Sequence, residues 1–450
     1  MINQTSVLAI FQQLKYFSLK VSLAIVQTLL HYFNGVASHR TKIKRGEETN
    51  GLVAEVSRVV ARIPGAGITV ASDSHFCCWH QNFVSVDYIL KSNVYLYFID
   101  CDEAVFVECS ETENIYNTRK HPFYFIAQRE NAVRTIRVPI VEFLNLAKRI
   151  GEPKCKVAWV FHTARCGSTA VAQGMNAIPN CTVISESQDM LVHLSSVLAK
   201  PGVVFKDYIE SKQFYELLSA AVICVLKNFE EGQLVCLKTT ASLNYPLLPL
   251  IIKRFPNHKL LSIHRDGAGT VKSFWRMGAD HVGLKIGMTL LKWFPSVMMG
   301  KLKTVVCIFT NGLTEEVKHF YMEHLNMFVF VYIHWVTNIV TFQRNTGCLA
   351  EGQLLPLCYD DIQEDKHSVM LKVLDHLGVD AEHVDVALDA MMSDSQANSP
   401  LDLDILKNKK SWVRDEATVE VCNRVLRQFN LPNFDQKFRF NRKFEIELIN

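Results

Sequence analysis

Arg165, Cys166, Gly167, Ser168 and Thr169 follow closely on a short apolar run, Val157–Phe161. The run reads as a buried parallel strand, and the stretch from Ala170 to Ala177 reads as a helix. A glycine between them lets the backbone approach a ligand closely. The first N–H groups of the helix have no partner within it, and with the helix dipole they favour an anion. Thr163, Ser168 and Thr169 add hydroxyls, and Arg165 adds a planar charge suited to phosphate. A Walker A loop ends Gly-Lys-Ser/Thr. Cys166-Gly167-Ser168-Thr169 lacks the lysine, so ordinary ATP chemistry loses a principal phosphate ligand. By itself the loop is equally a plain strand-to-helix turn.

A second group changes that reading. Lys259–His264 reads as another strand, Arg265-Asp266 follows at its carboxyl end, and Ser273 falls on a predicted helix, Thr270–Met277. An arginine at a strand end and a serine on the next helix can close on one phosphate, away from the first loop. A nucleotide with phosphates at both ends needs two such grips. On these residues the chain resembles the sulfotransferase superfamily. Phe161–Thr169 is similar to its 5′-phosphosulfate loop, in a divergent branch that reads Thr-x-Arg-Cys-Gly-Ser-Thr with a Ser-Glu shortly after. Arg265 to Ser273 is similar to its 3′-phosphate motif. Leu357-Cys-Tyr-Asp-Asp-Ile362, followed by Leu374–Leu377 and Gly378, resembles the family's later Tyr-Glu-Asp-Leu element and helix end. The order and spacing agree across 156–440.

The resemblance implies a P-loop NTPase-like fold: a five-stranded parallel sheet flanked by helices. It implies the donor 3′-phosphoadenosine 5′-phosphosulfate and no metal. Thr163, Arg165, Cys166, Gly167, Ser168, Thr169, Arg265 and Ser273 would bind the donor. Two departures stand out. Gly267 occupies the place of a usual proline, and Lys238-Thr239-Thr240 stands where many members carry Lys-Thr-His with a catalytic histidine.

Sulfuryl transfer requires in-line attack by an acceptor, a base for the acceptor's proton, and positive charge on the transferring group and leaving phosphate. Arg165 and Lys238 are the candidates for that charge. Glu186, after the strand Thr182–Ser185, is the candidate base, as in some carbohydrate-type relatives. His162 and His264 stand in reserve, each beside a phosphate ligand. Cys166 lies at a helix start beside Arg165, a setting that lowers a thiol pKa. A small-molecule kinase and an inactive nucleotide-binding or interaction protein are the competing readings. The resemblance implies an acceptor held by variable loops, here around 189–232 and 278–320; a small molecule or a carbohydrate is expected, with lipid, steroid-like alcohol and protein tyrosine also open.

The elements that position these groups alternate. Thr182–Ser185, Leu234–Lys238, Lys259–His264 and Leu354–Tyr359 read as strands separated by helices, so the class is α/β with a parallel sheet. In such sheets ligands bind beyond the carboxyl ends of the strands. The apolar run Leu325–Phe342 reads as a buried helix carrying Trp335. Ahead of this domain, assigned to 155–440, a smaller β-rich module spans 53–150. In it Val94–Asp100, Ala104–Cys109, Phe123–Gln128 and Val133–Val138 read as strands, and Ile140–Arg149 as a helix.

Residues 40–52 are charged and read as a linker, preceded by an apolar helical segment within 1–45. Val21 to Ser38 holds no charged residue and just reaches the length of a membrane span. Gln27, His31 and Asn34 weaken it, and the basic residues after it would keep the bulk of the chain in the cytosol. Membrane association through this segment is one reading, and a packed helix is the other. A cytoplasmic location is the main expectation, with a membrane-associated or Golgi location as the alternative.

The chain's 450 residues suffice for a large core, and its net charge of +3 gives no argument for nucleic acid. Its 13 cysteines are odd in number and form no CxxC pair, which favours a reducing compartment.

Overall fold

The computed structural model describes residues 4–64, 69–278, 303–323, 326–397, 399, 401–407, 409 and 411–449. A helix Gln4–Phe33 and a second helix Val36–Arg45 come first. An antiparallel sheet follows, built from β1 (Leu52–Arg62), β2 (Phe76–Ser85), β3 (Val94–Ile99), β4 (Glu103–Cys109) and β5 (Ala132–Pro139) in the order β2-β1-β5-β4-β3. The parallel sheet holds β6 (Lys156–His162), β7 (Cys181–Ser185), β8 (Leu234–Lys238), β9 (Lys259–His264) and β10 (Leu354–Cys358), ordered β10-β9-β6-β8-β7. All its pairings are parallel. A hairpin of β11 (Lys437–Phe440) and β12 (Ile446–Ile449) closes the fold. The class is therefore mixed α/β, a five-stranded parallel sheet flanked by helices beside an antiparallel module.

Strand β6 shows why its sequence is apolar without alternation. Trp159 and Phe161 enter the large core that also receives Tyr97 and Phe106 of the antiparallel module. Ala158 and Val160 point the other way, into a second core with Val171, Ile263 and Met370. Both faces are covered, so every position from Val157 to His162 is buried. The module is not a detached domain in packing. Helix Asp189–Leu198 lies against β3, and helix Ile140–Ile150 lies against helix Lys212–Leu226.

Three expectations need correction. Phe123–Gln128 is not a strand, because Tyr124–Asn131 forms a helix. Tyr124, Phe125, Ala127, Gln128 and Arg129 are all buried, so the segment lacks the one-sided apolar period that betrays a helix. The charged stretch 40–52 is not wholly a linker either. Helix Val36–Arg45 runs into it with no buried residue, and Ile43 is the one apolar side chain it contributes to the stretch, too little for an apolar period. The segment around 189–232 is mostly helical, with Asp189–Leu198, Phe205–Ile209 and Lys212–Leu226. Within 278–320, residues 279–302 lie outside the described residues.

Helix Met327–Asn345 carries Trp335 into the core as expected, although Leu325 lies outside the described residues. The run Val21–Ser38 is divided by Gly35 in the left-handed region, φ 76°. Among the described residues no helix is long and apolar enough to cross a membrane.

Candidate functional site

Strand order assembles the site. β6 is central, with β8 and β9 as its neighbours. Their carboxyl ends bring His162, Lys238 and His264-Arg265 to one edge, while β7 ends just before Glu186 and β10 just before Tyr359. All the residues singled out in the sequence are thus carried to the ligand edge of one parallel sheet.

The loop after β6 turns through backbone that most residues avoid. Ala164, Arg165 and Gly167 have φ of 62°, 50° and 80°. A Cβ on Gly167 would also lie 3.3 Å from the Tyr359 ring, so the positive φ and the close ring both favour glycine there. Helix Ser168–Asn176 starts at Gly167 without a side-chain cap, leaving its first amides for a ligand. Glu186 likewise sits at φ 63°. Non-glycine residues in this region cost on the order of 1–2 kcal/mol, and such outliers cluster at functional sites.

Two cationic groups gather there. Arg165 Nε donates to Ser273 Oγ at 2.8 Å and its Nη1 to Gln396 Oε1 at 2.7 Å. Arg265 Nη1 donates to the Arg165 carbonyl at 3.2 Å, and its guanidinium lies 4.1 Å above the Tyr359 ring. Burial, and then the neighbouring Arg265, lower the Arg165 pKa, while Asp266 lies 3.7 Å from Arg265 Nε. Thr163 Oγ1, Arg265 Nε and Thr270 Oγ1 are buried without a hydrogen-bond partner. Buried polar atoms in this state call for an explanation, and a bound polar ligand is one.

The Arg265 turn explains the missing proline. A Cβ on Gly267 would sit 2.7 Å from Trp335 Cε3. The indole takes up that space and donates from Nε1 to the Arg265 carbonyl at 2.9 Å. Gly269 leaves room for Arg265 itself, since a Cβ there would come 2.7 Å from Arg265 Nε.

Lys238 is wholly buried and forms an ion pair with Glu186. Burial pushes the Glu186 carboxyl up, but Lys238 and then His162 outweigh it, and the net pKa is below the ordinary value. The Glu186 amide donates to the Lys238 carbonyl at 2.7 Å, tying the ends of β7 and β8 together.

His162 is fully engaged. Its Nδ1 accepts from the Ala164 amide at 3.1 Å, which leaves the proton on Nε2 to bond the Thr239 carbonyl at 2.8 Å. Burial, helped by Lys238, holds its pKa down to about 3. His264 lies against Phe438 and Phe440, and burial lowers its pKa to about 4. The Cys166 thiol does not have the lowered pKa that its helix-start setting allows. Its side chain is buried in the core with Val171 and Met175, and burial pushes the thiol up.

Sequence reasoning missed three contributors. Gln396 holds Arg165 from a loop 231 residues away, a separation that leaves no local signal. Trp335 was visible only as a core residue. Asn244 is fully buried and bonds both the Thr239 hydroxyl and the His162 carbonyl. A lone Asn opening the apolar helix Asn244–Arg254 is the signal that could have found it.

No protein-family model matches the chain, and no curated protein does. Among solved structures, a sulfotransferase from Alicyclobacillus acidocaldarius aligns with 62% of this chain and 95% of its own, at 10% identity and TM-score 0.35. Sulfotransferase STF9 from Mycobacterium avium aligns with 65% of this chain and 82% of its own, at 12% identity and TM-score 0.36. Mouse sulfotransferase SULT7A1, complexed with PAP, aligns with 64% of this chain and 87% of its own, at 15% identity and TM-score 0.33. Likenesses this loose carry no argument, so the functional case rests on the residues.

Proposed function

We propose that this chain transfers a sulfuryl group from 3′-phosphoadenosine 5′-phosphosulfate to a hydroxyl or amine of an acceptor. The observation that carries the reading is the paired grip on one sheet edge. The first loop with Lys238 forms one half, and Arg265 with Ser273 forms the other, linked through Arg165. A donor with a 3′-phosphate and a 5′-phosphosulfate engages both. The orphaned Thr163, Arg265 and Thr270 atoms supply donors that the nucleotide's anionic oxygens would satisfy.

In the proposed reaction the acceptor oxygen attacks sulfur as the bond from sulfur to the 5′-phosphate oxygen breaks. The leaving adenosine 3′,5′-bisphosphate keeps that electron pair. Glu186 takes the acceptor's proton. Lys238 turns from Glu186 toward the charge that develops on the leaving oxygen, which frees the carboxylate as it stabilises the transition state. Both histidine reserves are less suited, since His162 has no free lone pair and His264 is enclosed by aromatic rings.

A cavity of about 60 Å³ adjoins Lys238, lined mainly by apolar side chains such as Trp159, Met190, Leu218 and Val222, with Ser187 and Asp189 among its polar members. Its lining favours an acceptor with a small apolar group near the reacting atom over a bare sugar. Thr240, standing where relatives carry the histidine, has a buried hydroxyl with no partner that can orient such an acceptor.

The test is a transfer assay with sulfur-labelled donor against pooled lipid, alcohol and carbohydrate acceptors. Label should move to a pool containing apolar alcohols, and Lys238→Ala should cut the rate by about a hundredfold or more. Magnesium-dependent phosphoryl transfer from ATP, with no label transferred, would sink the reading.

A further inference from the structure

Helix Gln4–Phe33 is built inside out. Its protein-facing side is polar. Tyr16 donates to the Ser74 carbonyl at 2.6 Å, and Lys20 bonds the Asp73 carbonyl. Gln27 donates to the Cys78 carbonyl and accepts from the His80 amide, both at 2.8 Å. His31 is buried against Arg40, whose guanidinium also pairs with Glu55. The opposite side is apolar and bare: Phe11, Leu14, Phe17, Val21, Ile25 and Leu29 are all exposed, and Phe33 is 82% exposed. With Leu19, Val26, Leu30 and Tyr32 these side chains occupy about 220° of the circumference at 100° per residue. Between residues 11 and 33 only Gln12, Lys15, Ser18, Ser22 and Thr28 interrupt them.

The charge near this face is mainly basic, although Glu47 and Glu48 follow the cluster and Arg45 lies 3.6 Å from Glu47. Through residue 46 the sequence holds Lys15, Lys20, Arg40, Lys42, Lys44 and Arg45 and no Asp or Glu. Lys42, Lys44 and Arg45 are exposed in the last turn of helix Val36–Arg45.

We propose that helix Gln4–Phe33 lies in the plane of an anionic bilayer surface. Its apolar side rests in the boundary between headgroups and acyl chains, and the Lys42–Arg45 cluster meets the anionic headgroups. Helices of this kind bind through buried apolar area together with attraction of their basic residues to anionic lipid.

A crossing orientation does not fit. It would place Tyr16, Lys20, Gln27 and His31 in hydrocarbon and break the bonds that tie this side of the helix to the protein, leaving polar groups unsatisfied. No described helix is apolar enough to compensate. A second copy fits less well than lipid. A helix pair buries a narrow seam, which would leave much of this broad arc wet, and two copies would set like charges side by side.

The experiment is co-sedimentation of the full chain with phosphatidylcholine vesicles, with and without phosphatidylserine. Sedimentation equilibrium without lipid is run in parallel. The wild type should bind the mixed vesicles at least tenfold better than phosphatidylcholine alone, and added salt should weaken binding. The double variant I25E/L29E should lose binding tenfold or more at unchanged solution mass. The triple variant K42E/K44E/R45E should lose the preference for phosphatidylserine. These positions are exposed, so both variants should keep the wild-type far-UV circular dichroism. Three outcomes would overturn the proposal: a wild type that stays with the supernatant, binding indifferent to I25E/L29E, or a dimer that I25E/L29E dissociates.

Discussion

At the scale of single residues, Lys238 and Glu186 form the pair on which the proposed chemistry turns. A buried ion pair is weak support for stability, but removing one partner leaves the other charge uncompensated. Glu186→Gln must therefore be read for fold and turnover separately. We expect kcat to fall about a hundredfold, as for loss of a positioned base, with KM for donor little changed. The sign of the pH effect follows from the lowered pKa of Glu186. The carboxylate stays ionised below the ordinary glutamate value of about 4.3, so the acid limb of kcat/KM should lie below that value. The stability that Glu186 contributes is present above its unfolded pKa and is lost as pH falls through the lowered folded one. His162→Asn should lower Tm, because both ring nitrogens hold backbone, while kcat stays within several-fold. If His162→Asn abolishes turnover and Glu186→Gln does not, the base is His162.

At the scale of elements, the turn after β9 shows how a glycine is fixed by a side chain distant in sequence. Trp335 occupies the room that a side chain at position 267 would need. Gly267→Ala should cost about 1–3 kcal/mol by overpacking, read from urea midpoints. Combining it with Trp335→Leu should recover part of that cost, and strictly additive losses would refute the coupling. Such pairing could not be read from the sequence, because Gly267 and Trp335 share no local pattern. The strands of the parallel sheet were legible for the opposite reason. β8 and β9 are continuous apolar runs covered on both faces, and the sequence bounds Leu234–Lys238 and Lys259–His264 match the structure. β1 and β2 escaped notice because they are half exposed and their pairing is interrupted by register shifts. The loop after β6 was legible because its glycine, hydroxyls and arginine are contiguous. Gln396 was hidden because only the folded chain brings it to Arg165.

At the scale of the whole molecule, the two sheets share one core, and that core encloses neutral histidines. Burial holds His75, His258, His264 and His334 down to about 4 and His162 to about 3. In the unfolded chain each would titrate near 6.5. Between these values the unfolded state binds more protons, so stability rises with pH there and falls on acidification. Tm should drop steadily from about pH 6.5 to about pH 4, and a flat profile by calorimetry would contradict the buried-neutral assignment. The same global assembly makes the central claim testable, because the two grips come from strands far apart in sequence. The most direct measurement is titration calorimetry of adenosine 3′,5′-bisphosphate against adenosine 5′-monophosphate, on wild type and Arg265→Ala. A charge-assisted contact contributes about 1.5–3 kcal/mol, so wild type should prefer the bisphosphate by roughly tenfold or more, and Arg265→Ala should lose most of that preference. Equal affinity of the wild type for the two nucleotides, or a preference that survives Arg265→Ala, would contradict the account.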